Sequence, residues 1–141
     1  MILLDTDHLS VLKYEEHPRC RALRERMNAS EDPFFATTIV SAEEQMRGWL
    51  AKIHAAKDAE QQVAWYDQLA WLIEFLADWQ IIAFDQQAAA EFKRLQRLRL
   101  RIGTIDLKIA AIARVHDAML LSGNQRDFGR VPGLHVQNWI D

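Results

Sequence analysis

The amino-acid sequence predicts an α/β fold: a single domain, residues 1–141, with a central parallel β-sheet of about five strands flanked by helices. Three observations predict it. Short apolar runs alternate with longer stretches of helical period, the strand–helix–strand rhythm that sets successive strands parallel. The chain has the length of one ordinary domain, and half of its residues are hydrophobic, enough to build a core without a covalent or metal staple. No internal repeat, low-complexity tract or linker divides it.

The elements follow in order. Ile2–Asp5 reads as a strand, wholly apolar until its final aspartate. Leu9–Tyr14 and Cys20–Met27 read as helices, broken at His17-Pro18 because the residue before proline is pushed out of the helical region. Phe35–Val40 is β-rich, and Ser41 is the expected N-cap of a helix carrying Ala42, Met46, Trp49, Leu50 and Ile53. Gln61–Asp78 places Tyr66, Leu69, Ile73, Leu76 and Ala77 at amphipathic spacing. Ile81–Phe84 is a third strand and Gln86–Leu100 another helix. Thr104 is expected to cap a helix from Ile105 to His116, followed by strands at Met119–Leu121 and Leu134–Val136. The stretch from Lys52 to Gln80 is expected to form a helical hairpin insert.

Composition excludes several classes. The N-terminus lacks a basic region and carries an aspartate at position 5, unlike a secretory signal. The longest apolar stretch, Leu69–Ala77, is interrupted by Glu74 and is too short to cross a bilayer. The single cysteine, Cys20, cannot form an internal disulfide, which agrees with a cytoplasmic location. Net charge is −3, against a nucleic-acid binder that works through overall positive charge. The average conceals a polarity: Gln86–His116 holds seven cations and two anions, and the remainder is acidic.

In parallel sheets, ligands bind beyond the carboxyl ends of the strands. Asp5 ends the first strand, Glu43 and Glu44 open the helix after the second, Asp106 opens the helix after the basic run, and Asn124 and Asp127 follow the fourth strand. A lone aspartate after a strand is ordinarily a cap or turn former, and acids at a helix start favour its dipole. Their recurrence at successive strand ends points to one rim of carboxylates. Such a cluster repels itself unless a divalent cation neutralises it. Oxygen-only donors, with no cysteine partners and no ligand spacing among the five histidines, suit Mg²⁺ or Mn²⁺ rather than zinc.

The residues resemble the PIN-domain signature almost end to end. ILLDTDHLS is similar to that family's opening; TTIVSAEEQMRG to its second motif, an acid four residues before a glycine; IGTIDLKIAAIA to its third; and LLSGNQRDFGRVPGLHVQNW to its last. Counting back from Gly48 selects Glu44 rather than Glu43. The order and spacing look most like the VapC toxin group. The resemblance implies a homodimeric, metal-dependent endoribonuclease of a toxin–antitoxin system, acting on RNA (tRNA among the candidates) and inhibited by a cognate antitoxin inserted near the active site. It implies metal ligation and catalysis by Asp5, Glu44, Asp106 and Asp127, with Thr6, Ser122 and Asn124 orienting them. Ser122 stands where threonine is usual, and Asp7 where asparagine is common.

The run KRLQRLRLR offers Lys93, Arg94, Arg97, Arg99 and Arg101 as RNA contacts; equally, it can be a solvated helix face with Leu95 and Leu98 or Leu100 turned inward. The tryptophans Trp49, Trp65, Trp71 and Trp79 read as packing residues before base-stacking ones, and an exposed stripe of them would suit a protein partner. Two rival readings remain at this point. Asp5-Thr6-Asp7 after an apolar strand imitates the nucleophile motif of haloacid-dehalogenase phosphatases, although no convincing lysine or paired acid follows. A PIN-like domain that binds RNA without cutting it is the other.

Overall fold

The computed structural model describes residues 1–141. Strand β1 (Ile2–Leu4) is short and fully buried. Successive side chains of a strand point to opposite faces, so Leu3 enters one core while Ile2 and Leu4 enter another. After β1 come helices α1 (Thr6–Val11) and α2 (Pro18–Asn28), strand β2 (Phe35–Thr38), and helices α3 (Ile39–Ala55) and α4 (Ala59–Ala77). Strand β3 (Ile81–Ile82), helices α5 (Gln86–Gln96) and α6 (Thr104–Val115), strand β4 (Met119–Leu121), helix α7 (Gln125–Phe128) and strand β5 (His135–Gln137) complete the chain. All strand pairs are parallel, in the order β3-β2-β1-β4-β5.

Helices cover both faces. Leu3, Ala36 and Leu120 pack with Ala88 and Leu95 of α5, Ile109 and Ile112 of α6 and Phe128 of α7. Ile2, Leu4 and Leu121 pack with Leu9 of α1 and with Cys20 and Leu23 of α2. The chain leaves β1 towards β2 and β3, then returns to β4 on the other side of β1. The point of reversal lies between β1 and β4, where a crevice opens at the strands' carboxyl ends.

Several boundaries differ from the sequence reading, some because a polar side chain caps earlier than expected and others because pairing or backbone conformation ends the element. Asp5 accepts the Thr6 N–H, so α1 begins immediately and ends before Tyr14. Thr38, not Ser41, caps α3: its hydroxyl accepts the Ser41 N–H, which ends β2 before Val40 and puts Ile39 in the helix. Gly103 takes the N-cap of α6 without a side-chain bond, and Thr104 is its first residue. Helix α5 stops at Gln96, and Arg99 has a positive φ of 52° that no helix continues through. Strand β3 ends two residues early, since only Ile81 and Ile82 find partners on β2. Strand β5 lies one residue later than expected, and the short helix α7, unforeseen, is capped by Asn124.

The expected hairpin is present as α3 and α4. Asp58 caps α4 by accepting the Gln61 N–H. Ala42, Leu72 and Leu76 form the seam of the two helices, with Trp49 and Trp71 half-buried beside them. No helix is long and apolar enough to cross a membrane.

Candidate active site

Backbone geometry sets the first acid. Leu4 and Leu121 are paired at the ends of β1 and β4. The Asp5 N–H donates to the Leu121 carbonyl at 2.9 Å, holding Asp5 in the crevice between the strand ends, where it is 7% exposed. Its Oδ1 accepts the Thr6 N–H at 2.8 Å, and its Oδ2 accepts the Ser122 hydroxyl at 2.8 Å.

From Asp5 the contacts run in both directions. On one side, the Thr6 hydroxyl donates to Glu44 Oε1 at 2.5 Å. On the other, Ser122 Oγ accepts the Asn124 N–H at 3.0 Å, and the Asn124 side-chain NH₂ donates to Asp106 Oδ2 at 3.1 Å and Asp127 Oδ2 at 3.2 Å. The structure thus brings Asp5, Thr6, Glu44, Asp106, Ser122, Asn124 and Asp127 into one continuous network. Glu43 lies outside it, exposed and paired with Arg47 at 2.7 Å.

Three residues take part that the sequence reading did not place. Arg130 donates to Asp127 Oδ1 at 2.9 Å and to the Arg101 carbonyl at 2.6 Å, tying the end of the basic run to the acids. Its only signal in the sequence is the helical i, i+3 spacing from Asp127. Asp7 accepts the Gly123 N–H at 2.6 Å. A Cβ on Gly123 would meet Asp7 Oδ2 at 2.7 Å, so a larger residue there would push the Asp7 carboxylate aside. The buried His8 accepts the Trp139 N–H on Nε2 at 3.0 Å, which leaves its proton on Nδ1, facing Asp7 at 2.8 Å. No spacing rule could have foretold a bond between residues so far apart in the chain.

Electrostatics follow from this enclosure. Burial is the chief cause that pushes Asp5 up from 3.8 to about 6; the bonds from Ser122 and Thr6 hold it back, and the charges of Asp7 and Asp106 add to the rise. Burial also raises Asp106, with repulsion from Glu44, Asp127 and Asp7 against the bond from Asn124. Asp7 moves the other way: burial opposes ionisation, but the bonds from His8 and Gly123 outweigh it.

The acids are joined by hydrogen bonds but not gathered into a closed cage. No three of the chain's histidine, cysteine, aspartate and glutamate side chains are grouped closely enough to hold a metal ion as they stand. Hydroxyls and an amide separate the carboxylates, as mutual repulsion dictates. The donor chemistry fits a hard divalent cation all the same. It is made of carboxylate, hydroxyl and amide oxygens, and two of its carboxyls are raised, chiefly by burial and further by neighbouring carboxylates.

The basic run is exposed at Lys93, Arg94, Arg97, Arg99 and Arg101. Arg94 is paired with Glu91, Leu95 is buried, Leu100 is half-buried and Leu98 is exposed.

The PIN-domain profile matches residues 2–134, nearly the whole chain. The chain belongs to the PIN-domain family, which sets aside the phosphatase reading. Ribonuclease VapC2 of Haemophilus influenzae is 34% identical over 76 residues, covering 51% of this chain and 58% of that protein. The match thus spans little more than half of the relative's length. Among solved structures, a chain of DNA-bound VapBC from Salmonella typhimurium matches with a TM-score of 0.75 and 21% identity, over 98% of this chain and 97% of that one. A chain of a toxin–antitoxin complex from Klebsiella pneumoniae matches with a TM-score of 0.67 and 21% identity, over 99% and 98%. At such identities the likeness establishes the fold alone.

Proposed function

We propose that this chain is an endoribonuclease that hydrolyses RNA phosphodiester bonds using Mg²⁺ or Mn²⁺, the toxin of a toxin–antitoxin pair neutralised by a cognate antitoxin. One observation carries the reading: Asp5, Glu44, Asp106 and Asp127 share one hydrogen-bonded network at the strand switch, and the only cation paired with any of them is Arg130. The names of the relatives support the nuclease and toxin assignments.

Asp5, Glu44 and Asp106 would hold the ion, with Asp127 beside them. When bound, it supplies Lewis acidity towards a phosphoryl oxygen and a water acidic enough to attack at neutral pH. The chain's own work is positioning. Ser122 and Thr6 each fix one oxygen of Asp5, so the carboxylate is presented in a single rotamer. The Thr6 hydroxyl orients Glu44, and the Asn124 amide sets the spacing of Asp106 and Asp127. Arg130 holds the far oxygen of Asp127 and neutralises part of its charge. The substrate is RNA, tRNA included, in the cytoplasm. A homodimer is supported by apolar side chains left on the surface of the hairpin, among them Ile39 and Leu50.

The test is cleavage of a mixed RNA by the purified chain. Mg²⁺ supports cutting, EDTA stops it, and Asp5→Asn lowers the rate by about a thousandfold or more while the folded chain melts cooperatively. Cleavage by folded Asp5→Asn at the unaltered rate overturns the assignment.

A further inference from the structure

A cavity of about 270 Å³ opens among α1, α3 and α4 and adjoins the site described above. Its lining includes Thr6 and Glu44, a hydrogen-bonded pair of the acid network. Trp49 and Trp71 also line it, and the Lys13 ammonium lies 5.1 Å from the ring centre of each. Lys52 lies 5.1 Å from Trp49 and 4.6 Å from Trp65. Indoles and ammonium groups thus form a ladder: Lys13 meets Trp71 and Trp49, and Lys52 meets Trp49 and Trp65, whose rings stack at 6.0 Å. Gln45, also in the lining, carries a buried side-chain nitrogen with no hydrogen-bond partner, a donor left over by the fold.

We propose that this ladder seats the single-stranded RNA nucleotides that flank the scissile phosphate on the Glu44 side. The inference rests on the ribonuclease reading and gives the substrate a direction across the acid network. Single strands are held by cations on their phosphates and aromatic faces on their bases, and here Lys13, Lys52, Trp49 and Trp71 line one groove. An apolar peptide segment would use the indoles but gain nothing from two ammonium groups set against them. An entering base takes the place of Lys13 beside an indole, and the freed ammonium pairs with a phosphate, exchanging a cation–π contact for an ion pair. Arg130 reaches both Asp127 and the Arg101 carbonyl. Cations thus stand near Glu44, through Lys13 and Lys52 of the same cavity, and beside Asp127, and a polyanion crosses a cleft that would repel it unaided.

The experiment uses the full chain in the Asp5→Asn background. A labelled, short single-stranded RNA is titrated at several salt concentrations, with anisotropy and tryptophan emission as readouts. Binding is expected to quench the emission. Trp71→Ala should weaken binding roughly tenfold and Trp71→Phe restore most of it. Lys13→Gln and Lys52→Gln should each lower the log–log salt slope by about 0.7. With Asp5 restored, the same variants should change which nucleotide is favoured beside the cut, while Val63→Ala, outside the groove, cuts as before. Unquenched emission with an unaltered salt slope in folded variants overturns the proposal. So does an unaltered cleavage pattern accompanied by weakened binding of the antitoxin, which would make the groove a protein dock. If the chain does not cut RNA but the oligonucleotide still binds through Lys13, Lys52 and Trp71, the ribonuclease reading fails and the groove assignment stands.

Discussion

At the β1–β4 crevice, polar side chains are buried and partnered; along the α3–α4 hairpin, apolar side chains are exposed and unpartnered. Asp5 and Ser122 are both buried, each bonded to the other, whereas Val63 and Tyr66 are 59% and 55% exposed. A buried polar group without a partner costs about 1–3 kcal/mol, so the crevice tolerates few arrangements and is specified closely. Exposed apolar groups carry no such penalty, and the hairpin's outer surface is left free for contact with other molecules. The contrast teaches that the acids, Glu44 on α3 included, are fixed by polar partners around the strand ends, while the hairpin's outer face has no such partners.

The strongest challenge to that comparison is a cavity under the crevice. Leu3→Ala, at a fully buried position of β1, is expected to cost about 2–5 kcal/mol in denaturant unfolding. A loss under 1 kcal/mol would mean that the sheet does not anchor the acids.

Acid titration sharpens the picture next. Asp5 takes up its proton near pH 6 in the folded chain against 3.8 when unfolded. The stability this contributes is fully present below pH 3.8 and is lost as pH rises through about 6, roughly 3 kcal/mol in all. Metal-free melts should therefore show stability contributed by this group falling between pH 4 and 6, a fall that Asp5→Asn removes and added Mg²⁺ offsets. A metal-free pH profile identical in wild type and Asp5→Asn would contradict the burial argument.

Thr38→Ala tests the junction between the two regions, since Thr38 ends β2 and caps the first hairpin helix. The expected loss is about 1 kcal/mol, read from the unfolding midpoint. The smallest effect belongs to the hairpin surface: Val63→Ala should change stability by no more than about 0.5 kcal/mol. A larger loss would show that this exposed face is packed in solution, against a second copy for instance.

Much of this was legible in the sequence because the signals are local. Strand–helix alternation gave the parallel sheet, and acids just after apolar runs gave Asp5, the Glu43–Glu44 pair, Asp106 and Asp127 as candidates for one rim; the structure joins all but Glu43 in a single network. Boundaries were harder to read. Ser41 and Thr104 are as good capping residues as Thr38 and Gly103 by type, and the choice between them depended on where pairing with the neighbouring strand or packing beneath the helix gave out. The run Lys93–Arg101 read as one helical stretch, yet Arg97 ends α5 as its C-cap and the positive φ at Arg99 lies beyond it.

By itself the sequence determined the period of each element, the sign of charge along the chain and the residue types at each strand end, since these depend on neighbours within a few positions. Only the tertiary structure decided that Asn124 bridges Asp106 and Asp127, that Arg130 joins them to Arg101, that His8 receives the Trp139 N–H, and that Lys13 meets Trp49 and Trp71. Most of these contacts join segments far apart in the chain, and even the short-range ones take their meaning from that assembly. Such contacts are selected by the shape of the packed sheet and helices, which no local pattern encodes.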